Sequence, residues 1–380
     1  MSVYLDNAAT TQVCPEAAAT AMDAMTVHYG NPSSTHRMGR ESKALLERAR
    51  KQVATALGAR PEELFFTSCG SESDNWAILR AAAWNARHGR HIVSSMAEHP
   101  AVLKPLERLE QQGFSVTYLK PGPDGSISVS AALDALRDDT CLVTLMHVNN
   151  ETGGVTDIAA IAEEVHTRNP HTLLHTDAVQ AFLKIPLSAK TLGADLISIS
   201  GHKIHAPKGV GALYIRHGLN LPPLILGGGQ EQGRRAGTES LPLIAAFGAA
   251  ADAAGKTFAA DTARMCVLRD HAAARLKDEN PGLHTICGGA PQILSVSLPG
   301  YRSEVLMNFL EARDIFVSKS SACKKGGRSH VLEAIGLESA EIDGALRISL
   351  SRFTTEAEID TLCDALHEAR TTLRTAVNRR

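Results

Sequence analysis

The sequence predicts an α/β protein with a mostly parallel sheet and a second, smaller unit towards the C-terminus. Short apolar segments alternate with helical segments through the first two thirds of the chain, as expected when helices cover both faces of a parallel sheet. From about residue 256 the segments QILSVSLPG and ALRISLSRF alternate in polarity, which is typical of an antiparallel sheet with one face in water. We therefore expect a smaller domain over about 256–380.

Four apolar segments of the first part are predicted to be buried strands. They are CLVTLMHV (141–148), HTLLHTDAVQ up to Asp177, ADLISIS (194–200) and GVGALYIR (209–216). Ligands in such sheets collect at the carboxyl ends of the strands. The polar clusters HVNNE, HTDAVQ and SISGHK fall at those ends, so we expect a ligand site there.

Helices are predicted between and after these strands. DIAAIAEEVHTR has apolar residues at helical spacing behind Asp157, a suitable N-cap. Helices are also predicted over RMCVLRDHAAARLKDEN and in the segment from Thr355 onwards. These two helices belong to the predicted second unit.

Composition and charge exclude several classes of protein. The 380 residues carry a net charge of −2 without a basic block or an acidic tail, which argues against nucleic-acid binding. No apolar segment reaches the roughly 18 residues that a membrane helix needs, and MSVYLDNAATT does not resemble a signal peptide. The seven cysteines form no Cys-x-x-Cys pair. An odd number of cysteines spread over a long chain fits a reducing compartment, so we expect a cytoplasmic protein.

Lys203 follows the predicted strand in SISGHKIHAPKGVG and is a candidate nucleophile. A partly desolvated lysine has a lowered pKa and can form a Schiff base with a carbonyl compound. The alternative is a lysine that ends a strand in water. His202 and His205 are three residues apart, but no acid or cysteine nearby completes a metal site, and we expect none.

Asp177 ends a buried strand and needs a partner inside the protein. In enzymes that use pyridoxal phosphate, an aspartate keeps the pyridine nitrogen protonated so that the ring can accept electrons. Gln180 follows one turn later and could donate to the phenolic oxygen of the ring. A helix N-cap is the alternative role for Asp177, and both roles can hold together.

Three further segments supply candidate ligands. FFTSCGSESDNWAI has a small-residue turn at Gly70 and Ser71 before a helix, where backbone N–H groups bind phosphate well. The alternative is an ordinary capped turn. His99 in AEHPAV could stack on a flat ring, and Arg352 in SLSRFTTEAEID could hold a carboxylate. Taken alone, Arg352 could equally be a surface arginine.

Cys323 lies in SKSSACKKGG, among small residues and lysines. Alone, this segment is compatible with a stray cysteine in a basic turn. Lys319, Lys324 and Lys325 would favour its thiolate form, while Gly326 and Gly327 would let the segment move.

Ten segments occur in the same order as in the cysteine desulfurases, which the whole chain from Tyr4 to Asp360 resembles. They are YLDNAATT, GNPSSTH, FTSCGSESDN, EHPAV, HVNNETG, HTDAVQ, SGHKIHAPKGVGALY, GGGQEQGRRAGTES, SSAC and RFTTEAEID. The family comprises fold-type I pyridoxal phosphate enzymes of the nitrogen-fixation and housekeeping iron–sulfur type. The resemblance implies a seven-stranded, mostly parallel sheet in a large domain (15–255). It also implies a small domain formed by 1–14 and 256–380.

The resemblance also implies roles for the candidate residues. Lys203 would carry pyridoxal phosphate as a Schiff base, Cys323 would take the sulfur of L-cysteine as a persulfide, and His99 would stack on the ring and move protons. The other implied cofactor ligands are Gly70, Ser71, Asn150, Asp177, Gln180, Ser200, His202 and, from the second subunit of a homodimer, Thr238. Arg352 and Asn31 would hold the substrate carboxylate. The persulfide would pass to an acceptor protein for iron–sulfur cluster or thio-cofactor synthesis.

The sequence departs from the family pattern in two places, and it leaves two questions open. The segment Lys324–Arg328 is strongly basic and about two residues shorter than the longer-loop class has there, and GTES replaces the more usual GTEN. Another reaction of the same fold is the alternative function, namely a selenocysteine lyase or a cysteine lyase that releases sulfide. The acceptor protein is not identified by the sequence.

Overall fold

The computed structural model describes residues 2–286, 288–319 and 327–373. Its strands are β1 (Val3–Tyr4), β2 (Leu64–Thr67), β3 (His91–Ser95), β4 (Ser115–Leu119), β5 (Thr140–Thr144), β6 (Leu173–Asp177), β7 (Leu196–Ser200), β8 (Gly211–Ile215), β9 (His284–Ile286), β10 (Ile293–Ser297), β11 (Ile315–Phe316), β12 (Ser318–Lys319) and β13 (Ala345–Ser349). Its α-helices are α1 (Pro15–Thr26), α2 (Arg37–Leu57), α3 (Gly70–Asn85), α4 (Pro100–Gln111), α5 (Val129–Asp134), α6 (Ile158–Arg168), α7 (Ala189–Leu192), α8 (Leu241–Glu279), α9 (Ser303–Glu311), α10 (His330–Ala334), α11 (Ser339–Asp343) and α12 (Glu356–Thr372). No helix of these residues is long and apolar enough to span a membrane.

Seven strands form the central sheet, in the order β2-β8-β7-β6-β5-β3-β4. The neighbours from β7 to β4 are parallel, whereas β8 is antiparallel to both β7 and β2. The sheet therefore confirms the predicted mostly parallel, seven-stranded α/β fold. β2, β3 and β5 to β8 are buried throughout. Such burial explains the continuous apolar character of their sequences, since helices cover both faces of the sheet.

The predicted strand at 141–148 is shorter in the structure, where β5 ends at Thr144. Beyond it the backbone N–H of Met146 donates to the buried carboxylate of Glu98 at 3.0 Å rather than to a neighbouring strand. The backbone still pairs with β6 here, because Leu145 N donates to His175 O and His147 N donates to Asp177 O. The chain then lines the pocket described below. The predicted helix after Asp157 is α6, and the Asp157 side chain accepts from Ala160 N at 3.1 Å as its N-cap.

A second core lies around a four-stranded antiparallel sheet with the order β12-β13-β10-β9. QILSVSLPG and ALRISLSRF are confirmed as strands, and their β10 and β13 are direct partners. Both strands are buried throughout, so the predicted face in water is wrong for them. α12 starts after Thr355, as predicted, with a capping box between Thr355 and Glu358. β1 adds the N-terminus to this core by pairing in parallel with β11.

Helix α8 runs without interruption through 39 residues and belongs to both cores. Its first part, from Leu241 to Ala251, packs in the core of the central sheet, and its last part, from Met265 to Leu276, packs in the second core. The helix begins well before the segment that the sequence predicted. It also spans residues 255 and 256, so the predicted division into 15–255 and 1–14 with 256–380 stays a prediction.

Candidate active site

A cavity of about 520 Å³ opens at the carboxyl ends of β6 and β7. Nine of the residues that the sequence singled out line it: Gly70, Ser71, His99, Asn150, Asp177, Gln180, Ser200, His202 and Lys203. Ala8 and Ala9 of the N-terminal segment and Arg347 of β13 complete the wall. The cavity therefore lies where the central sheet meets residues of the second core.

Lys203 ends a short 3₁₀ turn, Gly201–Lys203, that directly follows β7. Its Nζ donates to the backbone oxygens of Ala8 at 2.6 Å and Ala9 at 2.7 Å. Burial lowers its pKa to about 8, and the positive charge of Arg347 acts in the same direction. A substantial fraction of Lys203 is therefore a neutral amine near pH 8, which is the form that attacks a carbonyl carbon.

Asp177 is the last residue of β6 and is 6% exposed. Its Oδ1 accepts from Val179 N at 2.9 Å in a turn. No helix of the described residues starts there, so the helix N-cap alternative is wrong, and the ligand role stays a prediction. Burial raises its pKa, while the charges of His99 and Lys203 oppose that rise. A cationic ring nitrogen beside Asp177 would stabilise the charged carboxylate and so oppose the rise in its pKa that burial causes.

Asp74 of α3 is a second buried acid in the cavity wall. Burial raises its pKa well above the usual value, and the neighbouring charge of Asp177 raises it further. Two close carboxylates do not both ionise readily, because like charges repel strongly in a poorly solvated site. We therefore assign the proton of this pair to Asp74, which leaves Asp177 available as the anion.

His99 is the N-cap of α4, and its Nδ1 accepts from the backbone N–H of Ala101 at 3.1 Å. This hydrogen bond requires a lone pair on Nδ1, so the proton of the neutral ring is on Nε2. Burial lowers the pKa of the ring. A neutral, flat ring fixed at its backbone end is suited to stacking on another flat ring.

The N-terminus of α3 forms one end of the cavity, at Gly70 and Ser71. A Cβ atom at Gly70 would lie 2.8 Å from Val179 Cγ2, so a side chain there would crowd the turn. The hydroxyl of Ser200 is buried close by and has no hydrogen-bond partner within the described ranges. Helix N–H groups, an unpaired hydroxyl and the nearby His202 together suit a phosphate group.

Gln180 lies deeper in the wall, and its Nε2 donates to Ala8 O at 2.9 Å. The same backbone oxygen accepts from Lys203, so both side chains hold the N-terminal segment in place. His202 does likewise, because its Nδ1 lies 3.1 Å from the hydroxyl of Thr10. Residues 8–10 therefore form part of the site, although no motif of the sequence assigned them to it.

Arg347 is a site residue that the sequence prediction missed. It is 2% exposed, and its guanidinium donates to Asn150 O and to Asp6 Oδ1, both at 2.9 Å. Its Nε has no partner within the residues described. A signal was present, because ALRISLSRF places an arginine inside a strand whose neighbours Leu346 and Ile348 are core residues. A charged residue in a buried strand needs a partner or a ligand.

Glu98 and Glu151 are further buried acids of the wall that the sequence prediction did not single out. Burial raises the pKa of Glu98 to about 8 and that of Glu151 to about 7. Glu151 accepts a hydrogen bond from the hydroxyl of Ser329, the N-cap of α10. That contact joins the cavity wall to the described residues that follow Cys323 in the chain.

The structure does not bring three of the predicted residues to this cavity. Asn31 and Thr238 are exposed on the surface of the chain, and Asn31 Oδ1 accepts from Ser33 N at 2.9 Å. Arg352 is directed into a separate, smaller cavity beside Phe353, because the chain turns after β13 and carries it away from Lys203. Cys323 lies outside the described residues.

The residues present fit pyridoxal phosphate. An amine of lowered pKa suits the aldehyde carbon, a buried carboxylate suits the ring nitrogen, and the α3 terminus with Ser200 suits the phosphate. Arg347 adds a buried guanidinium that can hold the carboxylate of an amino acid with two parallel hydrogen bonds. The arrangement can thus hold an amino acid against an electron-accepting ring. An amine of lowered pKa nearby can remove a proton from that amino acid.

Comparisons with known proteins agree with this chemistry. Residues 3–362 match the family model described as aminotransferase class-V. A cysteine desulfurase of Trichormus azollae is 42% identical over 371 residues, which cover 96% of this chain and 92% of that protein. A solved structure described as a NifS-like protein has a TM-score of 0.93 at 38% identity, covering 98% of this chain and all of that one. A structure of SspA in complex with cysteine covers 93% of this chain and 100% of that one, with a TM-score of 0.79 at 33% identity.

Proposed function

Because the chain belongs to the class-V aminotransferases and, within them, to the cysteine desulfurases, we propose that it converts L-cysteine to L-alanine and transfers the sulfur to an acceptor. The observation that carries the proposal is the cavity in which Lys203, Asp177 and His99 surround one space beside Arg347. When bound there, pyridoxal phosphate supplies an aromatic ring that accepts the electron pair released at the substrate α-carbon.

Each residue of the cavity has a part in this proposal. Asp177 holds the ring nitrogen, His99 covers the ring, and Ser200 with the α3 terminus and His202 holds the phosphate. Lys203 binds the aldehyde carbon, for which its Nζ leaves the backbone oxygens of Ala8 and Ala9. Burial lowers the pKa of the Lys203 amine, and its free Nζ would be the base that takes the proton from the substrate α-carbon.

Arg347 replaces Arg352 as the residue proposed to hold the substrate carboxylate. Arg347 lines the cavity that contains Lys203, whereas Arg352 lines a different one. Its Nε is buried without a partner among the described residues, and only two of its five N–H groups are used by Asn150 and Asp6, so at least two donors remain for an incoming carboxylate. Its existing bonds to Asp6 and Asn150 fix the plane of the guanidinium in advance.

We further propose that the sulfur passes to Cys323, as the sequence predicts. The Cys323 thiolate attacks the sulfur of L-cysteine, a sulfur–sulfur bond forms, and the carbon–sulfur bond breaks. The electron pair of the broken bond stays on the carbon, which takes up a proton and becomes the methyl group of L-alanine. Lys319 and the lysines beside Cys323 would favour the thiolate. An acceptor protein then takes the sulfur from the persulfide.

Mass spectrometry of the protein after exposure to L-cysteine tests the transfer. The peptide that contains Cys323 should gain the mass of one sulfur atom, and Cys323→Ala should abolish both this gain and the release of alanine. Cys69→Ala is the matched control, because the Cys69 side chain also lines the cavity and should prove dispensable. Continued turnover by Cys323→Ala with release of sulfide would favour a lyase. Sulfur on the Cys69 peptide alone would assign the persulfide to Cys69 instead of Cys323.

A homodimer and a cytoplasmic location complete the proposal. Thr238 is exposed and does not line the cavity of its own chain, which supports its predicted role in the cavity of a second subunit. The surface also exposes large apolar side chains that such an interface would cover: Met22, Met25, Val27, Tyr29 and Leu226. No motif in the described residues identifies the acceptor protein.

A further inference from the structure

A second, small cavity lies behind Lys203, on the far side of the segment Ile204–His205. It measures about 10 Å³, which is the room that one water-sized guest needs. Its polar lining consists of Lys184, His205, Asp261 and Arg352, and Phe258 and Met265 are among its apolar residues. None of these residues lines the larger cavity.

The polar groups of this cavity have few partners. Lys184 is 4% exposed. Arg352 Nε and His205 Nε2 are buried without hydrogen-bond partners within residues 2–286, 288–319 and 327–373. His205 Nδ1 lies 2.8 Å from Gln12 O and donates to it, so Nε2 of the neutral ring is an acceptor.

Positive charge dominates this small space. After burial itself, the charge of Arg352 is the largest cause of the lowered pKa of Lys184, which falls to about 8. Asp261 acts in the opposite direction but more weakly, and its Oδ2 already accepts from Thr257 at 2.5 Å. Glu16 is near enough for Arg352 to lower its pKa, although it does not line the cavity. The buried Lys184 and the half-buried Arg352 thus line one small cavity with a single carboxylate, which is already engaged.

This surplus of positive charge destabilises the folded protein unless an anion binds, because like charges repel strongly away from water. A water molecule would offer hydrogen bonds but no charge. An oxyanion such as sulfate is several times larger than a water molecule, whereas a monatomic anion is only slightly larger than one. We propose that a chloride ion binds in this cavity, held by Lys184 Nζ and Arg352 Nε.

The ion would join parts of the chain that are distant in sequence. Lys184 follows β6, His205 follows β7, and Arg352 follows β13 of the second core. Met265 of α8, which also lines the cavity, belongs to that second core as well. Chloride would therefore stabilise the contact between the two cores, and its loss would weaken the folded state by mass action.

Bromide, which scatters X-rays anomalously, tests the site directly in the holoenzyme. Crystals grown in sodium bromide should show an anomalous peak between Lys184 Nζ and Arg352 Nε. Thermal unfolding of the holoenzyme in sodium chloride and in sodium gluconate of equal ionic strength provides the solution test. We expect the midpoint to be about 2–4 °C higher in chloride.

Lys184→Met should remove the anomalous peak and the chloride effect, and Arg352→Gln should weaken both. Lys277→Met, an exposed position on α8, is the control that should change neither. Density for a water without an anomalous signal would overturn the proposal, as would equal midpoints in the two salts. A bromide peak in crystals without any chloride effect in solution would show binding at crystal concentration only and would overturn it too. If Lys184→Met does not fold, the two wild-type measurements still decide the matter.

Discussion

At the scale of single residues, the two arginines of ALRISLSRF illustrate how a side chain can be misassigned. Arg352 belongs to the matched segment RFTTEAEID, so its role was inferred from the motif. Arg347 lies five residues earlier, in the buried strand β13, opposite Ser295 of β10. Only the pairing of those strands shows that Arg347, and not Arg352, lines the cavity with Lys203. Sequence spacing alone does not determine which way the chain turns after the strand.

Arg347→Lys should raise KM for L-cysteine by about 10- to 100-fold, because a lysine cannot make two parallel hydrogen bonds to a carboxylate. Steady-state kinetics of alanine release measure this change. Arg313→Lys, on the surface beside Glu368, is the control and should leave KM unchanged. A rise of that size in Arg352→Lys but not in Arg347→Lys would restore the assignment made from the sequence.

Glu151 gives the protein a pH dependence of stability. Burial raises its pKa from 4.5 to about 7, so the folded state holds the proton more tightly than the unfolded chain does. The resulting stabilisation is fully present below about pH 4.5 and disappears as the pH rises through 7. The shift corresponds to about 3 kcal/mol.

Glu151→Gln should therefore become more stable than the wild type as the pH rises from 4.5 to 7, by up to about 3 kcal/mol. Urea unfolding at a series of pH values measures the difference. Glu164→Gln, at a half-exposed position of α6, should run parallel to the wild type. Parallel curves for Glu151→Gln and the wild type would mean that Glu151 is ionised in the folded protein.

At the scale of elements, the α3 terminus shows what a local pattern can predict. FFTSCGSESDNWAI contains the predicted strand and helix. The helix starts at Gly70, so Gly70 and Ser71 belong to its first turn and not to the preceding loop in which the sequence places them. Helix α8 was predicted only in its second half, because its first half consists of small and apolar residues that pack in the central core. Residues 8–10 could not be assigned to the site, because their contacts with Lys203 and His202 span almost 200 positions of the chain.

Gly70→Ala should weaken cofactor binding by about 10-fold, because the added Cβ would lie 2.8 Å from Val179 Cγ2 at the phosphate end of the cavity. Titration of the apoprotein with pyridoxal phosphate, followed by visible absorption, measures the affinity. Gly255→Ala is the matched control: it lies in α8, and its Cβ would meet nothing within 4 Å. That control should keep the affinity and stabilise the helix by up to about 1 kcal/mol. Unchanged affinity in Gly70→Ala would place the phosphate elsewhere.

At the scale of the whole molecule, the proposed dimer makes each site depend on two chains. Thr238→Asp would place a negative charge against the phosphate of the other subunit, whereas Lys203→Ala disables the site of its own subunit. Each variant alone should be nearly inactive. Mixed dimers should regain activity, because a subunit with Thr238→Asp receives an intact Thr238 from its Lys203→Ala partner.

Co-expression of the two variants with different affinity tags, followed by purification of the mixed dimer, measures this rescue. We expect up to half of the wild-type activity, since one of the two sites is complete. A mixture of Lys203→Ala with Arg347→Ala is the comparison that should stay inactive, because both residues line the cavity of one chain and each site of the mixed dimer lacks one of them. Absence of rescue with Thr238→Asp would mean that Thr238 does not reach the cavity of a second subunit.

The pairing of β1 with β11 has a consequence for how the protein is made on the ribosome. Val3 pairs with Ile315, so β1 cannot pair with β11 until about 310 further residues have been synthesised. At roughly 5–20 residues per second, that delay lasts on the order of 15–60 s. Ala8 and Ala9, which border Lys203, follow directly on that strand. The cavity therefore closes only when translation is nearly complete, and cofactor uptake belongs to the finished chain rather than to the nascent one.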